Sequence, residues 1–544
     1  MAIVDILTGG LDGFTLSIII GSSLIVLFWR IFTLRLDSRE PPVLKAGIPV
    51  IGHILGMLRE SHGYWTKLYE SQPMPACTLP MLNGKMYIIN HPALISATFR
   101  ARNLSFDPYL LKTIESLIPI SAKTAELFKR DDFFHPWTKI VYSKMTGTDL
   151  FRMNVVVLTD IFDQINLLPL NMEVEDTYIW FRNTLTISTI VSLLGKANPW
   201  KKDRSLIAKF WEWESCIHHF VLGPAPWLTS PSAYKARAGM HSALTECKQI
   251  SSTDQLNFSS SAPTASDVSG LIKATTAMQE EHHWTAADKA AMMIAILQGA
   301  VSNTVPTAYW YFMHILTSPS LVAKLRKELE PLVVRGATLP NGKREMLVDI
   351  RGLEEKAPLL VAAFRENQRV IGVGTISRWV VSDTLLTSTT DPGQTYLLKK
   401  DTPLQISSML NHTAAAYWGA DVAEFKADRF LRTDTRTGEE REFEGDAPVQ
   451  RGAFTPFGGG KHLCPGRNFA SAENWGTMIA FVLGFDITTP EGGPLELPER
   501  TMPLPTHGIG RPVEGADLRS SVRRRKGWEN VVWKVADVPA NKGT

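Results

Sequence analysis

From Ala290 to Leu316 the chain carries no Asp, Glu, Lys or Arg. As a helix, such a run is ~40 Å long. It is either a membrane span or the central helix of a large domain. Gln298, Ser302, Asn303, Thr304 and Thr307 interrupt it. A helix apolar on all sides with a polar patch at mid-length fits the centre of a large domain better. A span would also leave the later half of the chain across the membrane from the earlier half. Thr285 and Asp288 form a capping box at its start. Pro306 has no N–H, so the carbonyl of Ser302 loses its partner and the helix should distort there. The freed carbonyl, Asn303 and Thr304 then need partners, either water or a ligand.

The rest of the chain is able to enclose such a helix. Its 544 residues are 44% apolar and 20% charged, which excludes a disordered chain. A net charge of +3 argues against a strongly basic nucleic-acid binder. Cys77, Cys216, Cys247 and Cys464 are scattered. They make no zinc spacing and no disulfide framework, so a reducing compartment is expected. There is no phosphate-binding loop, because Gly460-Lys461 is followed by His462. Glu280 to His283 lacks metalloprotease spacing and reads as a helix end. His218-His219 reads as a helix-surface or core pair. The basic run Arg523 to Lys526 reads as a solvated turn near a membrane face.

Gly13 to Trp29 has no charge, and the apolar run resumes from Ile31 to Leu34. Arg30 can snorkel, so residues 1–36 are expected to anchor the chain in a membrane. Asp5 and Asp12 precede the run, while Arg30, Arg35, Arg39 and Lys45 accompany or follow it. That asymmetry places the bulk of the chain in the cytosol. Residues 37–52, with Pro41-Pro42 and Gly47 to Gly52, read as a stiff hinge with few contacts across it. Residues 53–544 form the catalytic domain. Helical periodicity dominates from Met57 to Ile250, apart from a β-prone run at Met86 to Ile89. Ser251 to Ser269 reads as a surface loop. Short strands are expected at Thr375 to Val381, Thr395 to Leu398, Val522 to Arg525 and Val531 to Val535. The fold class is mainly α with small β-sheets, an α+β arrangement.

The chemistry concentrates between Phe457 and Gly466. Three glycines, Gly458 to Gly460, let backbone approach a flat partner. Cys464 follows, and helical periodicity begins at Arg467. Amide N–H groups and the dipole of a helix start favour a thiolate. A thiolate donates electron density to iron.

Phe457, Gly460, His462, Cys464 and Gly466 match the haem-binding signature of cytochrome P-450 enzymes. Elsewhere, Glu366-Asn-Gln-Arg369 resembles the Glu-x-x-Arg element of that family. Phe425 to Phe430 resembles the segment that contributes Arg429. The resemblance implies a buried structural triad of Glu366, Arg369 and Arg429. It places Arg378 against a haem propionate, lets Phe457 shield the sulfur, and sets His462 beside a cofactor carboxylate. The Pro306 helix resembles the family helix that crosses the haem, with Thr304 at the alcohol position and Asn303 in place of the usual acid. Asn303-Thr-x-Pro306 followed by Tyr309-Trp310 is similar to sterol 7α- and 12α-hydroxylases and prostacyclin synthase. Trp137 is followed four residues on by Val141 rather than Arg, which leaves a second propionate contact open. Gly508 to Pro512, through the basic run, reads like the family's last hairpin.

The resemblance implies haem b held by the Cys464 thiolate, with electrons from NADPH through a cytochrome P-450 reductase. It implies a monooxygenase acting on a lipophilic sterol, terpenoid or polyketide in secondary metabolism. The long tail and the insertion at Arg432 to Arg451 resemble fungal microsomal enzymes of the endoplasmic reticulum membrane. A haem-thiolate isomerase or dehydratase, needing neither dioxygen nor reductase, is the alternative. Thr304 favours the monooxygenase.

Overall fold

A computed structural model describes residues 17–18, 21–22, 36–44, 53–81, 84–247, 268–433, 440–442, 452–504 and 506–536. The chargeless run forms two helices, Ala286–Val301 and Thr304–Leu316, broken at Ser302 and Asn303. Pro306 has no N–H to donate to the Ser302 carbonyl four residues earlier, and the break falls at that residue. Thr307 repairs the far side: its N–H and its hydroxyl both donate to the Asn303 carbonyl, at 3.1 and 2.7 Å. Thr285 Oγ1 accepts from the Asp288 N–H at 3.1 Å, which caps the first half.

This broken helix is the axis of the molecule. Every residue of Thr304–Leu316 is buried. Helix Thr177–Leu194 and helix Arg467–Gly484 pack on it through Phe181, Phe312 and Phe481, whose rings lie 4.8 to 5.8 Å apart. Helix Pro358–Ile371 is tied to it by polar contacts. Tyr311 donates to the Leu360 carbonyl at 2.6 Å, and Asn367 Nδ2 donates to the Thr307 carbonyl at 3.1 Å. His314 meets Asn367 Oδ1 at 2.9 Å, and burial pushes its pKa down to about 4. The buried imidazole is therefore neutral, which spares the core an unpaired charge.

Strands form small sheets around this helical body. The largest has five strands in the order Ala76–Met81, Gly84–Ile89, Pro403–Ser407, Thr375–Val380 and Leu104–Ser105. Four strand expectations, Met86 to Ile89, Thr375 to Val381, Thr395 to Leu398 and Val531 to Val535, fall on observed strands, and Val522 to Arg525 overlaps Ser520–Arg524.

Two expectations are corrected. Pro41 and Pro42 do not lie in a connector with few contacts. The Pro41 carbonyl accepts from Thr78 Oγ1 at 2.6 Å and the Pro42 carbonyl from the Thr78 N–H at 2.8 Å. Glu40 is buried and bonds Lys85 and Tyr87. Proline lacks a donor but keeps its carbonyl, so this segment docks beside the first strand as an edge. The basic run is only in part a solvated turn: Arg523 and Lys526 are exposed and Lys526 lies in a turn, but Arg524 is neither exposed nor in a turn. Strand Ser520–Arg524 pairs with Phe485–Thr488 and Asn171–Val174. Arg524 is buried, and its guanidinium caps the carbonyls of Ile165, Asn166 and Leu168 at 3.1 to 3.2 Å. The hairpin around Gly508 is a separate element, joined through Thr501 N–H to the Arg511 carbonyl at 2.7 Å.

No described helix is long and apolar enough to cross a membrane. The anchor at residues 1–36 falls almost wholly outside the described residues. Gly47 to Gly52, most of the loop at 251–269 and most of the insertion at 432–451 lie there too.

Candidate active site

The segment before Cys464 is held by its own backbone. The Cys464 N–H donates to the Phe457 carbonyl at 3.0 Å and the Leu463 N–H to the Gly460 carbonyl at 3.1 Å. The glycines serve a purpose that differs from the expected one. Gly460 has φ +66°, and a Cβ there would lie 2.0 Å from the Phe99 carbonyl oxygen. A Cβ on Gly459 would enter the Phe99 ring at 2.3 Å. The flat partner that the glycines admit in this structure is thus Phe99, on helix Pro92–Arg100. Arg378 clamps the same place: its Nη2 donates to the Gly459 carbonyl at 2.9 Å while its guanidinium lies 5.6 Å over the Phe99 ring.

Cys464 stands three residues before helix Arg467–Gly484. It is half-buried, and the protein crowds closely about its thiol. Burial pushes its thiol pKa up. The backbone N–H groups of Gly466 and Arg467 and the Arg467 charge act against that rise without cancelling it. The helix start alone does not hold a thiolate here; a bound cation must supply the rest.

The central helix offers the same kind of surface. Ile296, Gly299, Ala300 and Asn303 share one face and are accessible at mid-length, as are Ala295 and Gln298 off that face. Nothing lies within 4 Å of where a Gly299 side chain would begin. Thr304 is buried beside Asn303, and its hydroxyl has no partner among the described residues.

These observations test the site against haem. Arg378 is 3% exposed and meets carbonyls but no carboxylate among the described residues. Burial pushes its pKa down to about 10. A buried cation without a counterion fits an acidic cofactor edge. The Trp137 indole N–H is also buried and without a partner. A thiol, an open interior face, an unpaired Arg and an orphaned donor suit a flat metal cofactor bearing carboxylates.

His462 joins the Cys464 loop to the segment around Phe106. Its Nε2 accepts from the Phe106 N–H at 3.0 Å, and its Nδ1 lies 3.6 Å from Asp107 Oδ1. Burial pushes its pKa down to about 4. It serves as a neutral imidazole joining the Cys464 loop to Phe106. Phe457 contributes its carbonyl, and Gly466 its N–H, to the sulfur's surroundings.

Glu366, Arg369 and Arg429 come together. Arg369 Nε and Nη2 reach the two Glu366 oxygens at 2.8 Å each, and Arg429 Nε reaches Oε1 at 2.9 Å. Glu366 is fully buried and Arg369 nearly so. Sequence reasoning missed His412. It is buried and neutral, with a pKa near 4. It accepts from the Thr455 N–H at 3.1 Å and meets the Gly372 carbonyl at 2.9 Å, linking the triad helix to the Cys464 loop. It also missed Tyr142, which donates to the Leu463 carbonyl at 3.0 Å. Tyr142 follows the Val141 that replaces the usual Arg, a local cue visible in the sequence.

Helices around a buried cysteine loop, with small peripheral sheets, define a haem-thiolate enzyme by shape and donor set. The cytochrome P-450 family model matches residues 201–516. A cytochrome P-450 monooxygenase of Gibberella zeae is 30% identical, over 94% of both chains. The monooxygenase nodJ of Hypoxylon pulicicidum is 26% identical, also over 94% of both. The retinoic acid-bound cyanobacterial CYP120A1 superposes with a TM-score of 0.60 at 17% identity, covering 90% of this chain and all of that one. The chain belongs to the cytochrome P-450 family and is a monooxygenase of it, using haem with a cysteine thiolate ligand and electrons from a redox partner.

Proposed function

We propose that this enzyme oxidises a lipophilic substrate of secondary metabolism, anchored in the endoplasmic reticulum membrane by residues 1–36 and fed by NADPH through a cytochrome P-450 reductase. The observation that carries the reading is the accessible face of Ile296, Gly299, Ala300 and Asn303 beside the buried Thr304, in a molecule whose Cys464 is only half-buried. The apolar lining at Ile296, Gly299 and Ala300 suits a hydrocarbon skeleton. Haem, when bound, supplies a thiolate-ligated iron that activates dioxygen for insertion into a C–H bond.

The chain's own residues do the rest. Cys464 ligates through sulfur. Arg378 and the Trp137 N–H are placed for cofactor carboxylates, while His462 positions the loop. Thr304 offers a hydroxyl that both donates and accepts, the property needed to pass a proton at the broken helix. Asn303 is not an acid and cannot release a proton. It orients water or a substrate hydroxyl with its amide.

Thr304→Ala is expected to lower product formed per NADPH by about tenfold and to raise hydrogen peroxide, with haem content unchanged. Unchanged coupling would remove Thr304 from the proton path and give the isomerase reading the weight. NADPH-dependent dioxygen consumption coupled to product separates the two directly.

Deleting residues 1–36 is expected to leave a haem-loaded protein in the soluble fraction, because the retained segment is itself docked: the Arg39 carbonyl accepts from the Leu397 N–H at 2.9 Å. A truncated chain that still pellets with membranes, or that holds no haem, contradicts the anchor assignment.

A further inference from the structure

The break at Ser302 and Asn303 separates the two halves of the central helix. A helix whose ladder is interrupted does not pass the rotation of one half into the other. How Asn303 and Thr304 are presented is then decided by whatever holds helix Thr304–Leu316. The Ser302 hydroxyl is sealed in without a partner, whereas the Thr304 hydroxyl is not sealed. The Thr304 hydroxyl is therefore the group that has to be aimed.

One side chain holds the helix at its first turn. Asn367 is 0% exposed and lies on helix Pro358–Ile371, next to Glu366. Its Nδ2 donates to the Thr307 carbonyl at 3.1 Å, and its Oδ1 meets His314 Nδ1 at 2.9 Å. Thr307 is the residue that closes the turn after the break, through its N–H and hydroxyl on the Asn303 carbonyl. Thr307 and His314 stand seven residues apart and share a face, so a single amide grips two turns. Tyr311, between them in sequence, donates to the Leu360 carbonyl of the same neighbouring helix.

The chemistry of these groups allows one arrangement. A peptide carbonyl only accepts, so Thr307 requires the NH2 end of Asn367 and leaves the amide oxygen to His314. Burial pushes the His314 pKa down to about 4, and the neutral ring must then carry its proton on Nδ1. Phe425 stacks on that ring at 4.4 Å and 10°, which fixes its plane. The amide cannot turn away from either partner without leaving a buried polar group unpaired. The helix that carries it is held as firmly, since Glu366 and Arg369 on either side of Asn367 are locked into the buried triad. A side chain fixed at both ends on a fixed helix is what an accurately aimed group requires.

Resting on the proton path assigned to Thr304 above, we propose that Asn367 is a positioning residue for that path. Acting through the Thr307 carbonyl, it sets the angle at which the Thr304 hydroxyl is presented. It touches neither substrate nor cofactor.

The test uses the full-length haem protein, reduced and bound to carbon monoxide, and reads the C–O stretching band by infrared spectroscopy. That band responds to polar groups beside the bound gas and needs neither NADPH nor substrate. The main variant is Asn367→Leu/His314→Phe. It removes the amide together with the imidazole donor, so that no buried donor is orphaned. The expected result is wild-type haem content with a shifted and broadened band, as Thr304→Ala also gives. Asn367→Leu alone gives the same shift with a larger fall in unfolding temperature, because the His314 N–H is then unpaired. His314→Phe alone leaves Asn367 on the Thr307 carbonyl and keeps the wild-type band, although it too lowers the unfolding temperature. In a Thr304→Ala background the double variant adds no further shift. A wild-type band in the double variant overturns the proposal, as does a shift that persists in full on top of Thr304→Ala. A Thr304→Ala band identical with that of wild type overturns it too, and loss of haem from both Asn367 variants would make the residue structural only. Failure of the proton path itself appears separately, as unchanged coupling in Thr304→Ala.

Discussion

Glu366→Ala is expected to yield a protein that does not hold haem and has lost most of its stability. The carboxylate sits at 0% exposure and accepts from Arg369 twice and from Arg429 and the Lys426 N–H once each. Without it, Arg369 keeps only the carbonyls of His412 and Glu424. Truncating one partner of a buried pair costs roughly 3–5 kcal/mol, because the other charge stays buried. A typical domain has only about 5–15 kcal/mol to lose. The damage should reach the cysteine, since the His412 that Arg369 touches also receives the Thr455 N–H just before the Cys464 loop. Thermal unfolding and haem content at matched expression measure both effects. Soluble Glu366→Ala with wild-type haem loading would show that these contacts are dispensable.

The second large effect is at the ligand itself. Cys464→Ala is expected to abolish the red-shifted band of the reduced, carbon monoxide-bound protein, because no other described cysteine shares its setting. Cys77 is buried, with its thiol pushed up to about 12, while Cys216 and Cys247 follow the ends of helices Ser205–Ser215 and Pro231–Thr245. The fold should survive. No side chain among the described residues hydrogen-bonds Cys464 Sγ, and its N–H bond to Phe457 does not involve the side chain. A near-wild-type far-ultraviolet circular dichroism spectrum with no such band is the expected result. Retention of the band would move the ligand to another residue.

Much of the site is legible in short stretches of sequence. Cys464 follows its glycines within ten residues, Glu366 and Arg369 share a helical turn, and Pro306 marks a break that falls at Ser302 and Asn303. Each is a local rule: a ring that removes a donor, a three-residue spacing on one face, a backbone needing positive φ. What was misread was long-range. Pro41-Pro42 read as a hinge because proline stiffens, but its carbonyls found Thr78. The basic run read as solvated because charge usually is, but Arg524 found three carbonyls some 360 residues earlier in the chain. The Phe106 N–H that meets His462 Nε2 likewise comes from some 356 residues earlier in the chain, beyond any local pattern.

The chain's order of residues specified the haem-thiolate class, the central helix and its break, since these depend on groups within one turn or one loop. The Glu214–Arg511 pair depends on folding: the residues lie on a helix and on a loop near the carboxy terminus, and neither has a diagnostic neighbour. Only when helix packing removes water from Glu214 does its carboxylate meet the Arg511 guanidinium fully buried. Desolvation is a property of the assembled interior, and no spacing along the chain encodes it.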